Sequence, residues 1–145
     1  MSRLYFGDNQ VADKGVQYLA STVANSSLFV LGISKNGITD EGVHYLSEML
    51  KTNHRLTVLG LEENEISNSG VEKLTNALKY NCTLQRLLLA ENKTINNTSV
   101  SYITDMIHYN RSLKRLDLRS CNLSNSAKAK LREVVQIRKY FELFV

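Results

Sequence analysis

The chain of 145 residues and 16.4 kDa is the size of one domain or of a repeat array of similar extent, which excludes two large domains. Hydrophobic residues at 43% and charged residues at 22% are ordinary globular proportions and exclude a disordered chain. The net charge of +4 is modest but uneven, since from Asn110 to Val145 nine basic side chains stand against three acidic ones, while residues 1–109 carry a small negative excess.

The first element is a strand at Arg3-Leu4-Tyr5-Phe6, and Leu4-Tyr5-Phe6-Gly7-Asp8-Asn9-Gln10-Val11 opens a unit that then recurs. Leu28-Phe29-Val30-Leu31-Gly32-Ile33-Ser34-Lys35-Asn36-Gly37-Ile38 is followed 28 residues later by Leu56-Thr57-Val58-Leu59-Gly60-Leu61-Glu62-Glu63-Asn64-Glu65-Ile66. Leu84-Gln85-Arg86-Leu87-Leu88-Leu89-Ala90-Glu91-Asn92 comes next. Leu113-Lys114-Arg115-Leu116-Asp117-Leu118-Arg119-Ser120-Cys121-Asn122-Leu123 follows, offset by 29 because Lys93-Thr94 adds one residue before Ile95. The repeats run near 3–27, 28–55, 56–83, 84–112 and 113–140, within a single domain over 1–145.

In each copy the apolar residues first alternate, so Leu31 and Ile33, Leu59 and Leu61, Leu87 and Leu89, and Leu116 and Leu118 share one face of short strands. They then recur at three and four, as in Val43, Leu46, Met49 and Leu50, in Val71, Leu74, Ala77 and Leu78, and in Val100, Ile103, Met106 and Ile107, which is a helix stripe. Thr39, Ser67, Asn96 and Ser124 stand where N-caps belong. Gly15, Gly42, Gly70, Ser99 and Ala127 keep one helix position small, as close helix packing requires. Asn36, Asn64 and Asn92 occupy the exit from the strand, where a buried amide bonds neighbouring turns, and Cys121 takes that place as an apolar filler rather than a nucleophile. Such βα units cannot cover their own cores and must stack.

The pattern L-x-x-L-x-L-x-x-N-x-I with its following helix resembles the leucine-rich repeat family, in the 28-residue form of ribonuclease inhibitor, the C-terminal repeats of NOD-like receptors, tropomodulin and the Ran GTPase-activating protein. The resemblance implies an α/β fold: a right-handed solenoid arc of about five repeats, with a parallel β-sheet on the concave face and helices on the convex face. It also implies a binding role rather than catalysis.

The two ends are expected to differ. A basic fifth helix from about Ser124 to Lys139, with Lys128, Lys130, Arg132, Arg138 and Lys139 outward, reads as part of a C-terminal cap over 124–145. Phe141 and Phe144 are expected at the two leucine positions of a last strand. At the other end nothing shields Leu4 and Phe6, so the chain is expected to be the C-terminal part of a longer protein or to self-associate through its uncapped first repeat.

Residues between the leucines form columns down the concave face: Arg3, Val30, Val58, Arg86 and Arg115; Tyr5, Gly32, Gly60, Leu88 and Asp117; Gly7, Ser34, Glu62, Ala90 and Arg119. A small apolar middle flanked by arginines has the composition of an interface core, so Tyr5, Val30, Val58, Glu62, Arg86, Leu88, Arg115, Asp117 and Arg119 are the expected contacts to a protein partner. No catalytic residue, cofactor or metal site is expected: His44, His54 and His108 read as surface residues with no ligand spacing, and no Gly-rich loop leads into Lys-Ser/Thr. Basic residues without a recognition motif do not indicate specific nucleic-acid binding. No run of about 18 apolar residues and no leader-like start exist, so no membrane role is expected. The two cysteines, Cys82 and Cys121, suit neither a disulfide scaffold nor a zinc site, and the expected location is cytoplasmic.

The functional expectation is a non-enzymatic protein-binding module, the end of a larger cytosolic sensor or scaffold. The alternatives are a GTPase-activating protein of the Ran regulator type and a microbial repeat effector acting on a host protein. An actin-capping role like tropomodulin's calls for tropomyosin-binding helices that these residues do not supply.

Overall fold

The computed structural model describes residues 2–145. Strands and helices alternate as β1 (Arg3–Tyr5), α1 (Ala12–Val23), β2 (Val30–Gly32), α2 (Asp40–Thr52), β3 (Val58–Gly60), α3 (Asn68–Leu78), β4 (Arg86–Leu88), α4 (Ser99–Tyr109), β5 (Arg115–Asp117), α5 (Asn125–Val135) and β6 (Glu142–Phe144). All six strands pair in parallel in the order β1 to β6, and each helix packs on the next. Chain order and spatial order coincide, which is the arrangement of a solenoid.

Sheet register aligns the leucines. Leu4, Leu31, Leu59, Leu87, Leu116 and Leu143 form one row of Cα partners, and from Leu31 to Leu116 the row is fully buried. Behind it lie Ile33, Leu61, Leu89 and Leu118 and the helix stripes around Leu46, Leu74, Ile103 and Leu131, all within one core. Burying one leucine side chain removes enough apolar surface to contribute about 2 kcal/mol, so these rows supply the main cohesion between units.

The asparagines form the expected ladder. Asn64 accepts from the amides of Asn36 (2.9 Å) and Ile38 (3.1 Å) and donates to the carbonyl of Ile33 (3.1 Å). Asn92 repeats this with Ile66 (3.1 Å) and Leu61 (3.0 Å). Cys121 stands at the end of the row with its Sγ 3.4 Å from the carbonyl of Leu89, and burial pushes its thiol up to about 11. Immediately before each ladder position the backbone is left-handed in a residue with a side chain, at Asp8, Lys35, Glu63, Glu91 and Ser120, with φ between 53° and 63°. This conformation costs about 1 kcal/mol for such residues. Asn9, Asn36, Asn64 and Asn92 each donate to a carbonyl of their own turn, and Ser120 keeps the conformation before Cys121 without such an amide.

Two further ladders run through the stack. At the ends of the helices, Asn53 donates to the carbonyls of Val23 (2.9 Å) and Ala24 (3.2 Å), Asn81 to Leu50 (2.8 Å) and Asn53 (3.1 Å), and Asn110 to Leu78 (2.6 Å) and Asn81 (2.9 Å). At the helix starts, Asp13 accepts from the Thr39 amide (2.8 Å) and hydroxyl (2.7 Å), Asp40 accepts from both groups of Ser67, and Asn68 accepts from the Asn96 amide (2.9 Å). These carboxylates explain the small helix position: a Cβ on Gly42 would lie 2.5 Å from Asp13 Oδ1.

Three expectations are corrected. Asn96 does not cap α4: its Oδ1 accepts from Thr98 N at 3.0 Å, it forms a parallel bridge with Asn122, and the helix starts only at Ser99. By contrast Thr39, Ser67 and Ser124 do cap α2, α3 and α5. Helix α5 ends at Val135 rather than near Lys139, and Arg138 does not face outward. Its guanidinium takes over the helix-end ladder, donating to the carbonyls of Asn110 (2.5 Å) and Leu113 (2.8 Å), and burial lowers its pKa. Finally, β6 pairs Leu143 with Leu116 and Phe144 with Asp117, so Leu143 and Val145 take the leucine positions and Phe144 lies on the open face of the sheet.

Candidate protein-binding surface

Parallel register fixes the concave columns. Arg3, Val30, Val58, Arg86 and Arg115 are successive Cα partners, as are Tyr5, Gly32, Gly60, Leu88 and Asp117. Alternation sends their side chains away from the leucine core. The first column ends in Glu142 and the second in Phe144, two concave residues that the expected register missed. Counting 27 residues on from Leu116, instead of assuming 28, would have found them.

The middle of the face is low and apolar. Val30, Val58, Leu88 and Ala90 are half-buried between Gly32 and Gly60, while Arg86 is exposed beside them. Tyr5 is 66% exposed, yet its ring leans over Gly32, where an added Cβ would lie 2.9 Å from Cδ1. Glu62 is half-buried and accepts from the Ser34 hydroxyl at 2.6 Å. Tyr5, Val30, Val58, Glu62, Arg86 and Leu88 thus share one floor.

Arg115, Asp117 and Arg119 belong to a different arrangement. Asp117 is 3% exposed and receives Arg119 Nε (2.9 and 3.2 Å) and Nη2 (2.6 Å) on its two oxygens. Burial pushes its carboxyl up, but the Arg119 side chain and backbone amide and the charges of Arg119 and Arg115 outweigh it, leaving the pKa below the usual carboxylate range. Arg119 is held above its ordinary value by the same contact. Phe144 lies under both guanidiniums, 4.3 Å from Arg115 and 5.3 Å from Arg119, and Arg115 also approaches Glu142 at 3.6 Å. These side chains are already engaged by the last strand. They present a fixed charged wall at one end of the floor.

Two other surfaces adjoin the sheet. The connections leading into β3, β4 and β5 hold a groove of about 380 Å³ whose lining includes His54, Arg55 and Lys114. At the start of the stack, Phe6, Val11, Tyr18 and Leu19 line an apolar groove of about 360 Å³ next to the edge strand β1. His44, His54 and His108 are exposed on helices or their connections, and among the described residues no three His, Cys, Asp or Glu side chains are placed to hold a metal. No helix among those residues is long and apolar enough to cross a membrane.

Comparison with solved structures places the fold beside two others. Leiomodin-1 actin-binding site 2 superposes with a TM-score of 0.81 at 16% identity, over 94% of this chain and 79% of that one. The C-terminal domain of tropomodulin from Caenorhabditis elegans gives 0.79 at 18% identity, over 94% and 83%. Comparison with curated proteins gives no match. The leucine-rich repeat family model matches residues 1–20, 24–47, 52–74 and 109–127, more than half of the chain, which therefore belongs to the leucine-rich repeat family.

Proposed function

We propose that this leucine-rich repeat domain is a non-enzymatic module of the 28-residue, ribonuclease-inhibitor-like kind that grips a protein partner on its concave face. The observation that carries the reading is the floor itself: Val30, Val58, Leu88 and Ala90 lie open beside exposed Tyr5 and Arg86, although the fold makes no use of them. Apolar surface flanked by tyrosine and arginine is the make-up of an interface centre. A cytosolic setting accords with Cys82 and Cys121 both being free thiols.

Capture from a cell lysate tests this. A partner retained by wild type and lost from Val58→Glu with Leu88→Glu supports the reading, provided circular dichroism shows both folded. A partner retained equally by the double variant removes the concave face. The likeness to leiomodin-1 actin-binding site 2 makes actin the first named partner to try, by co-sedimentation with filaments and by gel filtration with monomer.

A further inference from the structure

The stretches that run from a helix end through its connection into the next strand, residues 51–58, 79–88 and 108–116, contain no carboxylate yet carry seven lysines and arginines, two of them (Arg86 and Arg115) on the concave columns, and two histidines. Parallel pairing of β3, β4 and β5 stacks them, so charges far apart in sequence share one edge. Part of this charge has an internal use. Lys51, Lys79 and His108 sit at helix ends, where backbone carbonyls favour cations, and Arg115 is held by Glu142 and Phe144.

Arg55, Arg111 and Lys114 have no such use. All three are exposed, lie beyond the helix ends and enter no salt bridge among the described residues. The carbonyls at the ends of α2, α3 and α4 behind them are already bonded by Asn81, Asn110 and Arg138. Like charges gathered without counter-charge repel, and that cost turns into attraction when an anion lies among them. Space for one exists: the groove holding Arg55 and Lys114 meets, at Cys82 and Ser112, a second groove of about 410 Å³ holding Lys79, Tyr80, Tyr109 and Arg111.

We propose that this edge docks an acidic, Asp- and Glu-rich segment of a protein partner, at a site separate from the concave floor. Tyr80 and Tyr109 are 75% and 71% exposed and line one groove with Arg111, the pairing of residue types that anchors protein interfaces. Thr57, Thr83, Gln85 and Ser112 line the same grooves and offer hydrogen bonds to a peptide backbone. The opposite edge of the sheet carries Asp8, Glu62, Glu63, Glu65 and Glu91 against Lys35, Lys93 and Arg119, a net negative charge that disfavours a long polyanion laid across the face. A folded partner with one acidic stretch meets no such barrier.

The test is fluorescence anisotropy with a labelled twelve-residue, about 40 Å, poly-glutamate peptide at two salt concentrations, with oligouridylate as a second probe. Wild type is expected to bind poly-glutamate, more weakly at high salt. Arg55→Glu with Arg111→Glu and Lys114→Glu should weaken it by about tenfold or more, since like charges then face the peptide. Lys14→Glu with Lys130→Glu and Arg132→Glu makes the same change in net charge on exposed helix positions and should shift affinity by about twofold at most. Equal losses in the two triple variants, no binding by wild type, or tighter binding of oligouridylate would each overturn the proposal. Matching circular dichroism of all three proteins excludes misfolding as the cause.

Discussion

Leu87 and Leu88 are neighbours on the three-residue strand β4, yet the first is 1% exposed in the core and the second is half-buried on the open face. Leu87→Ala should cost about 2–5 kcal/mol through the cavity it leaves, while Leu88→Ala should cost under about 1 kcal/mol, both read from urea unfolding. The cysteines divide in the same way. Cys82 is exposed, whereas Cys121 is buried with its thiol raised to about 11. A thiol reagent at neutral pH should therefore label Cys82 rapidly and Cys121 only on unfolding. Rapid labelling of both would mean that the last repeat opens. The leucine pattern and the row of Asn36, Asn64, Asn92 and Cys121 were legible because one residue type, or its small substitute, recurs at a fixed spacing. Arg138 was not legible. A long cation stands there for the asparagine of Asn53, Asn81 and Asn110, and its charge marked it for the surface.

At the scale of the element, β6 shows how the stack ends. Its register sets Leu143 over Leu116 and turns Phe144 onto the concave side, where it lies under Arg115 and Arg119. The interval before it is one residue short of the usual period, so a reading by spacing alone shifted the phenylalanines onto the wrong face. The same blindness affected the start of α4: the extra residue in that repeat lets Asn96 turn toward Thr98 and Asn122 instead of capping. Both misses arose where the period changes. Acid tests the last element directly. Because the folded-state pKa of Asp117 is depressed, its contribution is present above the ordinary carboxylate range and is lost as pH falls through and below it. Asp117→Asn should flatten the part of the acid-stability curve below about pH 4 while leaving the region near neutrality with a constant offset. An unchanged slope would show that the Asp117–Arg119 contact does not survive in solution. Arg138→Ala, which strips hydrogen bonds from the carbonyls closing α4, should lower stability by about 1–3 kcal/mol in the same assay.

Across the whole molecule, the division of labour follows from stacking. Leucine rows and three polar ladders join each unit to the next, and none of them uses the floor formed by Val30, Val58 and Leu88. Cohesion and the proposed binding therefore occupy different residues, which is why the fold was readable from one face of the repeat and the partner is not. The basic edge was hidden for a related reason: its cations come from separate repeats and gather only when the sheet brings their loops together. The most direct test of the concave-face reading is hydroxyl-radical footprinting of the chain alone and in the complex captured from lysate. Protection of Tyr5, Val58 and Leu88, with Tyr18 on α1 unchanged, is the predicted result. Protection of Tyr18 with Val58 and Leu88 still fully reactive would contradict it and move the partner to the helices.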